Sequence, residues 1–163
     1  MDNCSRNVVH LEKTIMKTII TICLLVICAG CSAPEPRSIA YGTDQCAACK
    51  MNIEDKRFAA QAVFTTGKQM VFDAPECMMG WYLNSTENDR SKVHTLYVTD
   101  YVNPTSFVKA NDAAYAVGDM WESPMGMNVA AFSSNESRDK QIQMHGGSPI
   151  TYSALSQLAE EYR

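Results

Sequence analysis

Three short segments of this 163-residue chain concentrate sulfur: Cys46-Ala-Ala-Cys49-Lys-Met51, Cys77-Met78-Met79, and Pro124-Met125-Gly126-Met127. Thiolate and thioether sulfurs are soft donors that select Cu(I) over harder ions, whereas a thioether adds little to zinc or calcium binding. In an extended segment, Cys49 and Met51 stand on the same side of the backbone. Cys77 falls in the first turn of a predicted helix, where the positive end of the helix dipole favours a thiolate. The Pro-Met-Gly-Met run reads as a turn, so its methionines are not the stripe of a helical core. Met70, Met120 and Met144 read instead as packing residues, a common use of this flexible side chain.

The cysteine pair taken by itself leaves several chemistries open. A zinc ribbon needs a second pair, and only Cys77 is left, with no Cys-x-x-His in the chain. A thioredoxin-type pair needs its first cysteine at a helix N-terminus after a strand, whereas Lys50–Lys56 shows no convincing amphipathic helix. A disulfide and a soft-metal site both remain. His94, in a strand, and His145, at a helix end, read as surface or packing residues. Asp73 reads as a helix cap whose carboxylate could also face the cysteine loop. Nucleophile elbow, Gly-rich phosphate loop and paired metal-protease histidines are all missing from the sequence. The favoured reading is therefore a metal carrier, not an enzyme. The competing reading is a thiol oxidoreductase using Cys46, Cys49 and Cys77.

The start of the chain bears on where this chemistry takes place. Met16-Lys17 precedes an apolar run from Thr18 to Ala29, about 12 residues, the size of a signal-peptide core rather than a membrane span. Ala29-Gly30-Cys31 resembles the end of a bacterial lipoprotein signal, with Cys31 acylated, although Cys28 stands where Leu is usual. We therefore expect residues 1–30 to be an upstream extension plus signal peptide, with Met16 the true start. The product would sit lipid-anchored on the periplasmic side of a bacterial membrane. Cleavage there leaves four of seven cysteines, one of them lipidated. An odd number of thiols in an exported protein argues against a plain disulfide framework. From Cys31 onward, 11 Lys and Arg face 16 Asp and Glu. That acidic balance, without a basic cluster, argues against nucleic-acid binding.

These residues must be positioned by a domain of ordinary size. Residues 31–41, with Pro34 and Pro36, read as a flexible tether off the lipid. Residues 42–103 read as a first unit: strand Arg57–Thr65, a turn at Thr66-Gly67, strand Lys68–Asp73, a helix from Asp73 to about Asn84, and strand Val93–Thr99. Residues 104–163 read as a second unit: strands Ser106–Ala110 and Met127–Ser133, helix Asn135–His145 closed by a left-handed cap at Gly146-Gly147, strand Pro149–Tyr152 and helix Ser153–Tyr162. Strand, strand, helix, strand thus occurs twice, and the fold class expected is α+β.

Taken in order, these segments resemble one family. The lipoprotein signal, Cys46-x-x-Cys49-x-Met51, Phe72-Asp73, Cys77-Met78, Val98-Thr99-Asp100-Tyr101, Phe107-Val108-x-Ala110, Pro124-Met125-Gly126, Ala131-Phe132-Ser133 and Gly146-Gly147 are similar to NosL proteins. The resemblance implies two small β-β-α-β units, distantly similar to the organomercury lyase, and so adds an organometal lyase using Cys46, Cys49 and Cys77 to the competing enzyme reading. It also implies a membrane-anchored chaperone that delivers Cu(I) to apo nitrous oxide reductase through a membrane ABC-type complex. By the same resemblance, the copper ligands are Cys49, Met51 and Met125, with Cys46 and Cys77 as additional candidates.

Overall fold

Strand, strand, helix, strand does occur twice, but one strand belongs elsewhere. The computed structural model describes residues 33–161, and the expected signal peptide, the start at Met16 and the lipidated Cys31 lie outside them. Strands β1 (Ala60–Phe64) and β2 (Gln69–Phe72) form a hairpin. Gly67 closes it at φ 82°, a backbone conformation that glycine adopts without a β-carbon penalty. Helix α1 (Pro75–Asn84), the single turn α2 (Glu87–Arg90) and strand β3 (Val93–Thr99) follow. In the second half come β5 (Ala114–Val117), β6 (Val129–Phe132), α3 (Asn135–His145), β7 (Ser148–Ile150) and α4 (Tyr152–Glu161). With β4 (Phe107–Lys109) after β3, all pairings are antiparallel, in strand orders β2-β1-β3-β4 and β6-β5-β7. In each half the first strand is central, flanked by the second and third.

Ser106–Ala110, expected to open the second unit, supplies β4 (Phe107–Lys109) at the edge of the first sheet, with Val108 opposite Val98. The strand that does open the second unit, β5, escaped the sequence reading. Ala114, Tyr115 and Ala116 are all buried, so it shows none of the polar alternation that marks a half-exposed strand. The short α2 escaped for the opposite reason. Its Glu-Asn-Asp-Arg run has no apolar stripe, and it is held by the Thr86 hydroxyl accepting the Asp89 N–H.

The segment expected to be a flexible tether is laid on the first sheet from Glu35 onward. Gln61, fully buried on β1, donates its amide N–H to the Arg37 carbonyl at 2.7 Å and accepts the Arg37 N–H at 3.2 Å. Gln69 reaches the Glu35 carbonyl, Arg37 pairs with Asp44 at 2.7 Å, and Ile39 is buried. A buried amide must find partners, and backbone lying across the strand supplies them.

The main core joins both sheets: Ile53, Phe72, Met78, Met79, Leu96, Val98, Tyr115, Val129 and Leu155 form one buried cluster. Helices α1 and α4 pack together, with Gly80 of α1 facing the Ala159 carbonyl. A smaller cluster gathers Phe58, Trp121 and Phe132 around Tyr101. Gly147 lies against it, and a β-carbon there would stand 2.9 Å from the Val117 carbonyl oxygen. The Gly146 cap has φ 89° but ψ −172°, so it is not the left-handed helical cap expected; the chain turns straight into β7. Gly147 therefore serves close approach, while Gly146, in open space, gives the positive-φ turn and donates its N–H to the Ile142 carbonyl. Among the described residues, no helix is long and apolar enough to cross a membrane.

Replacing Gln61 with Leu leaves the Arg37 N–H and carbonyl without partners. It should cost about 1–3 kcal/mol in stability and open the segment near Arg37 to proteolysis. A variant as protease-resistant as the parent would show that the amide does not hold the segment down.

Candidate metal centre

Cys46 to Met51 is not the extended segment its spacing suggested but a closed loop. The Cys46 N–H donates to the Met51 carbonyl at 2.8 Å, and the Lys50 N–H to the Cys46 carbonyl at 3.0 Å. Gln45 pairs with Asn52 across the loop's base, and Lys50 sits at φ 67°, unusual for a residue with a side chain. The Ala47 N–H donates to the Val71 carbonyl at 2.8 Å and fastens the loop to β2. That strand ends at Phe72, and the next residues are Asp73, Ala74 and helix α1.

Four side chains meet where these pieces join. Ligand atoms of Cys46, Cys49, Asp73 and Cys77 all lie within 4.8 Å of one another. Cys46, Asp73 and Cys77 are buried and Cys49 is half-buried; none of the three cysteines is in a disulfide. Asp73 is not a helix cap. With Pro75 as its first residue, the helix takes Ala74 at the capping position, with no side-chain cap bond. The Asp73 carboxylate is thereby freed for the cysteines: Oδ2 accepts the Cys49 thiol at 3.3 Å, while Oδ1, also buried, has no partner.

The thiolate falls on Cys46 rather than on Cys77. The neighbouring Cys77 thiol, with the backbone amides of Cys49 and Asp73, holds Cys46 down at about 6 against the opposing effect of burial. Cys46 beside it, with burial and Asp73 adding to the effect, pushes Cys77 well above the ordinary thiol range. The helix dipole at Cys77 is thus outweighed by its immediate neighbours. Burial pushes Cys49 up to about 11; the backbone amide of Met51 opposes this, and Cys46 and Asp73 add to it.

Beside the cluster opens a cavity of about 460 Å³ lined by Cys49, Cys77, Glu76, Trp81, Met125 and Met127, among others. Met125 and Met127, both half-buried, come from a turn closed by Gly126 at φ 76°. Met125 is therefore brought to the cysteines. Met51 is not: it is 52% exposed and lines a separate hollow with Asn52, Glu54, Asp55 and Pro124. Met78 and Met79 are core residues. Met70 packs against the core as expected, but Met120 and Met144 are exposed rather than packed. His94 and His145 are both exposed and stand outside the cluster.

Glu76 is the site residue that sequence reasoning missed. It stands in the first turn of α1, is 97% buried and lines the cavity. Burial pushes its carboxyl up to about 7; Asp73 adds to the rise and the Ser123 hydroxyl opposes it. Its Oε2 has no partner. Position 76 alone gave no sign of this, because burial depends on the Ser123 turn folding over it.

As a donor set, three thiols and a carboxylate suit a soft or borderline metal ion, with one half-exposed sulfur on the cavity side. Known proteins resemble this chain in sequence and in fold. The NosL family model matches residues 39–159. A crystal structure described as the copper chaperone NosL from Shewanella denitrificans superposes with a TM-score of 0.62 at 21% identity, covering 77% of this chain and 98% of that one. No curated protein sequence matches the chain.

The pH dependence follows from the direction of each shift. Cys46 ionises at about 6 in the fold against 9.0 ordinarily, so it favours the folded state above that ordinary value, and the contribution fades as pH falls through 6. Cys49 and Cys77 are shifted upward, so their contributions are complete below the ordinary value and fade only as pH rises beyond it. Ultraviolet titration of the reduced, metal-free protein should show one thiolate forming near pH 6, absent in Cys46→Ser. Three thiols titrating together in the ordinary range would contradict the splitting of Cys46 from Cys77.

Proposed function

The chain belongs to the NosL family, and on that premise we propose that it is a Cu(I)-binding metallochaperone rather than an enzyme. It would deliver copper to nitrous oxide reductase, or a related periplasmic copper enzyme, during assembly of the metal centre. Copper is here the cargo. In the same reading Cys31 carries a lipid that anchors the protein to the periplasmic side of a membrane, and a membrane ABC-type complex is the partner in delivery.

The observation that carries the reading is the convergence of Cys46, Cys49, Cys77 and Asp73 within 4.8 Å. Cu(I) takes few, soft ligands. Cys46 supplies a ready thiolate at the buried side, and Cys49 offers a half-exposed sulfur where an incoming donor from a partner can share the ion. Met125 on the cavity wall supplies a thioether to the same space. A carrier needs such an open side, because transfer proceeds by ligand exchange. The relative with the superposing fold is described as a copper chaperone, in keeping with this reading.

A second reading is favoured by the Cys49 to Asp73 hydrogen bond. Cysteines beside a buried carboxyl are also a set that could cleave a carbon–metal bond, the thiols holding the metal and an acid protonating the carbon. Release of hydrocarbon from an organomercurial by the purified protein would favour this over carriage.

The reduced protein should take up about one Cu(I) and hold it against a Cu(I)-specific chromogenic chelator far more tightly than it holds Zn(II), as a soft donor set requires. Retention of zinc in preference to Cu(I) would overturn the proposal. Cys49→Ser should lower Cu(I) affinity by about two orders of magnitude, roughly 2.7 kcal/mol. Met125→Leu and Met51→Leu keep side-chain volume and should cost less than about 1.5 kcal/mol in stability. Of the two, Met125→Leu should weaken copper binding more, because only Met125 shares the cavity of the thiols. Bound Cu(I) should also protect Cys46 and Cys49 from alkylation; equal alkylation rates with and without copper would mean that these cysteines do not hold it.

A further inference from the structure

The turn carrying Met125 has no regular structure to fix it, yet it is closed on itself and tied to the helix that carries Cys77. The Gly126 N–H donates to the Ser123 carbonyl at 2.9 Å, the Asn128 N–H to Ser123 Oγ at 2.9 Å, and the Ser123 N–H to Asn128 Oδ1 at 3.2 Å. Asn128 adopts φ 57° to complete this ring. The ring's tie to α1 is the Ser123 hydroxyl, which donates to Oε1 of Glu76, the residue just before Cys77. Both partners are buried, at 6% and 3% exposure. The other carboxylate oxygen of Glu76 is buried without a partner, an arrangement that costs stability and that an apolar residue at this position would avoid. The fold thus keeps a buried acid beside its sulfur cluster, joined to the one turn that brings a methionine to the same cavity.

We propose that Glu76 and Ser123 form a latch that sets the position of the Met125 thioether relative to the thiols, making both of them positioning residues for the cargo. The inference rests on the Cu(I) reading above. It assigns Glu76 no bond to the metal. Its action passes through Ser123 and the ring to Met125, as groups behind a metal ligand commonly orient that ligand.

The test compares the full-length, reduced chain with Ser123→Ala, Glu76→Gln, Met125→Leu and the double variant Ser123→Ala/Met125→Leu. Each is measured for Cu(I) affinity by chelator competition, for sulfur ligation by copper X-ray absorption, and for melting temperature without metal. Ser123→Ala should lower Cu(I) affinity about tenfold, within the range found for groups behind a metal ligand, and weaken the thioether contribution to the absorption spectrum. Adding Met125→Leu to it should lower affinity little further, because the thioether has already been released. Glu76→Gln keeps an acceptor oxygen at nearly the same volume and should stay close to the parent in affinity. A purely structural role would lower the melting temperature while leaving affinity and sulfur ligation unchanged, and that result overturns the latch. Full additivity of Ser123→Ala and Met125→Leu overturns it as well. If the parent protein takes up no Cu(I), the metallochaperone reading fails and the latch falls with it; the other two outcomes leave that reading standing.

Discussion

The site exists because one loop is fastened to one strand. The Ala47 N–H donates to the Val71 carbonyl of β2, and β2 runs almost at once through Asp73 into α1. Cys46 and Cys49 on one side of that junction, and Asp73 and Cys77 on the other, are neighbours because both sets hang from the same strand end. The surrounding elements keep the junction rigid. β1 pairs with β2, Gln61 ties the leading segment down across β1, and α4 backs α1. Loops held on a stiff scaffold are where binding groups are usually found, since the loop is free to present side chains and the scaffold fixes where they point.

Much of this was legible in the sequence, and the omissions have physical causes. β3 and α3 fall at the residues expected, Val93–Thr99 and Asn135–His145, because each has a clear local signature: β-branched and aromatic residues in one, a Ser134 cap and closing glycines in the other. β5 left no signature because it is buried on both faces. The sulfur motifs showed which residue types do the chemistry, but spacing alone did not separate ligand from filler. Cys77 and Met78 are adjacent, yet one turns to the cluster and the other into the core. Met51 stood out by its distance from Cys49 in an extended chain, but the loop is closed and Met51 faces another hollow. Asp73 was misread as a cap because Pro75 moves the start of the helix on by one residue, something a single proline decides and periodicity does not reveal.

The junction also gathers what a fold selected for stability alone would remove. Lys50 is held at positive φ, and Asp73 Oδ1 and Glu76 Oε2 are buried without partners. Backbone strain and unsatisfied polar groups cluster at functional sites because the rest of the fold over-determines them. These three fall within one loop and the beginning of one helix, while Trp121 Nε1, also buried without a partner, and the positive-φ Glu122 and Asn128 belong to the segment that carries Met125. Gln61 and Thr99, by contrast, are buried polar side chains with their partners in place.

The cysteines come from both sides of the β1–β2 hairpin: Cys46 and Cys49 before it, Cys77 after it. An ion shared between them is therefore a cross-link that closes the intervening chain into a loop, much as a covalent bridge would, but one that can be withdrawn. Its binding energy adds directly to the stability of the fold. The loaded carrier is then the stiffer molecule and the unloaded one the looser. Release of the ion would remove that cross-link while the loop's backbone hydrogen bonds to itself and to β2 stay in place, so the emptied site would keep its shape for the next ion.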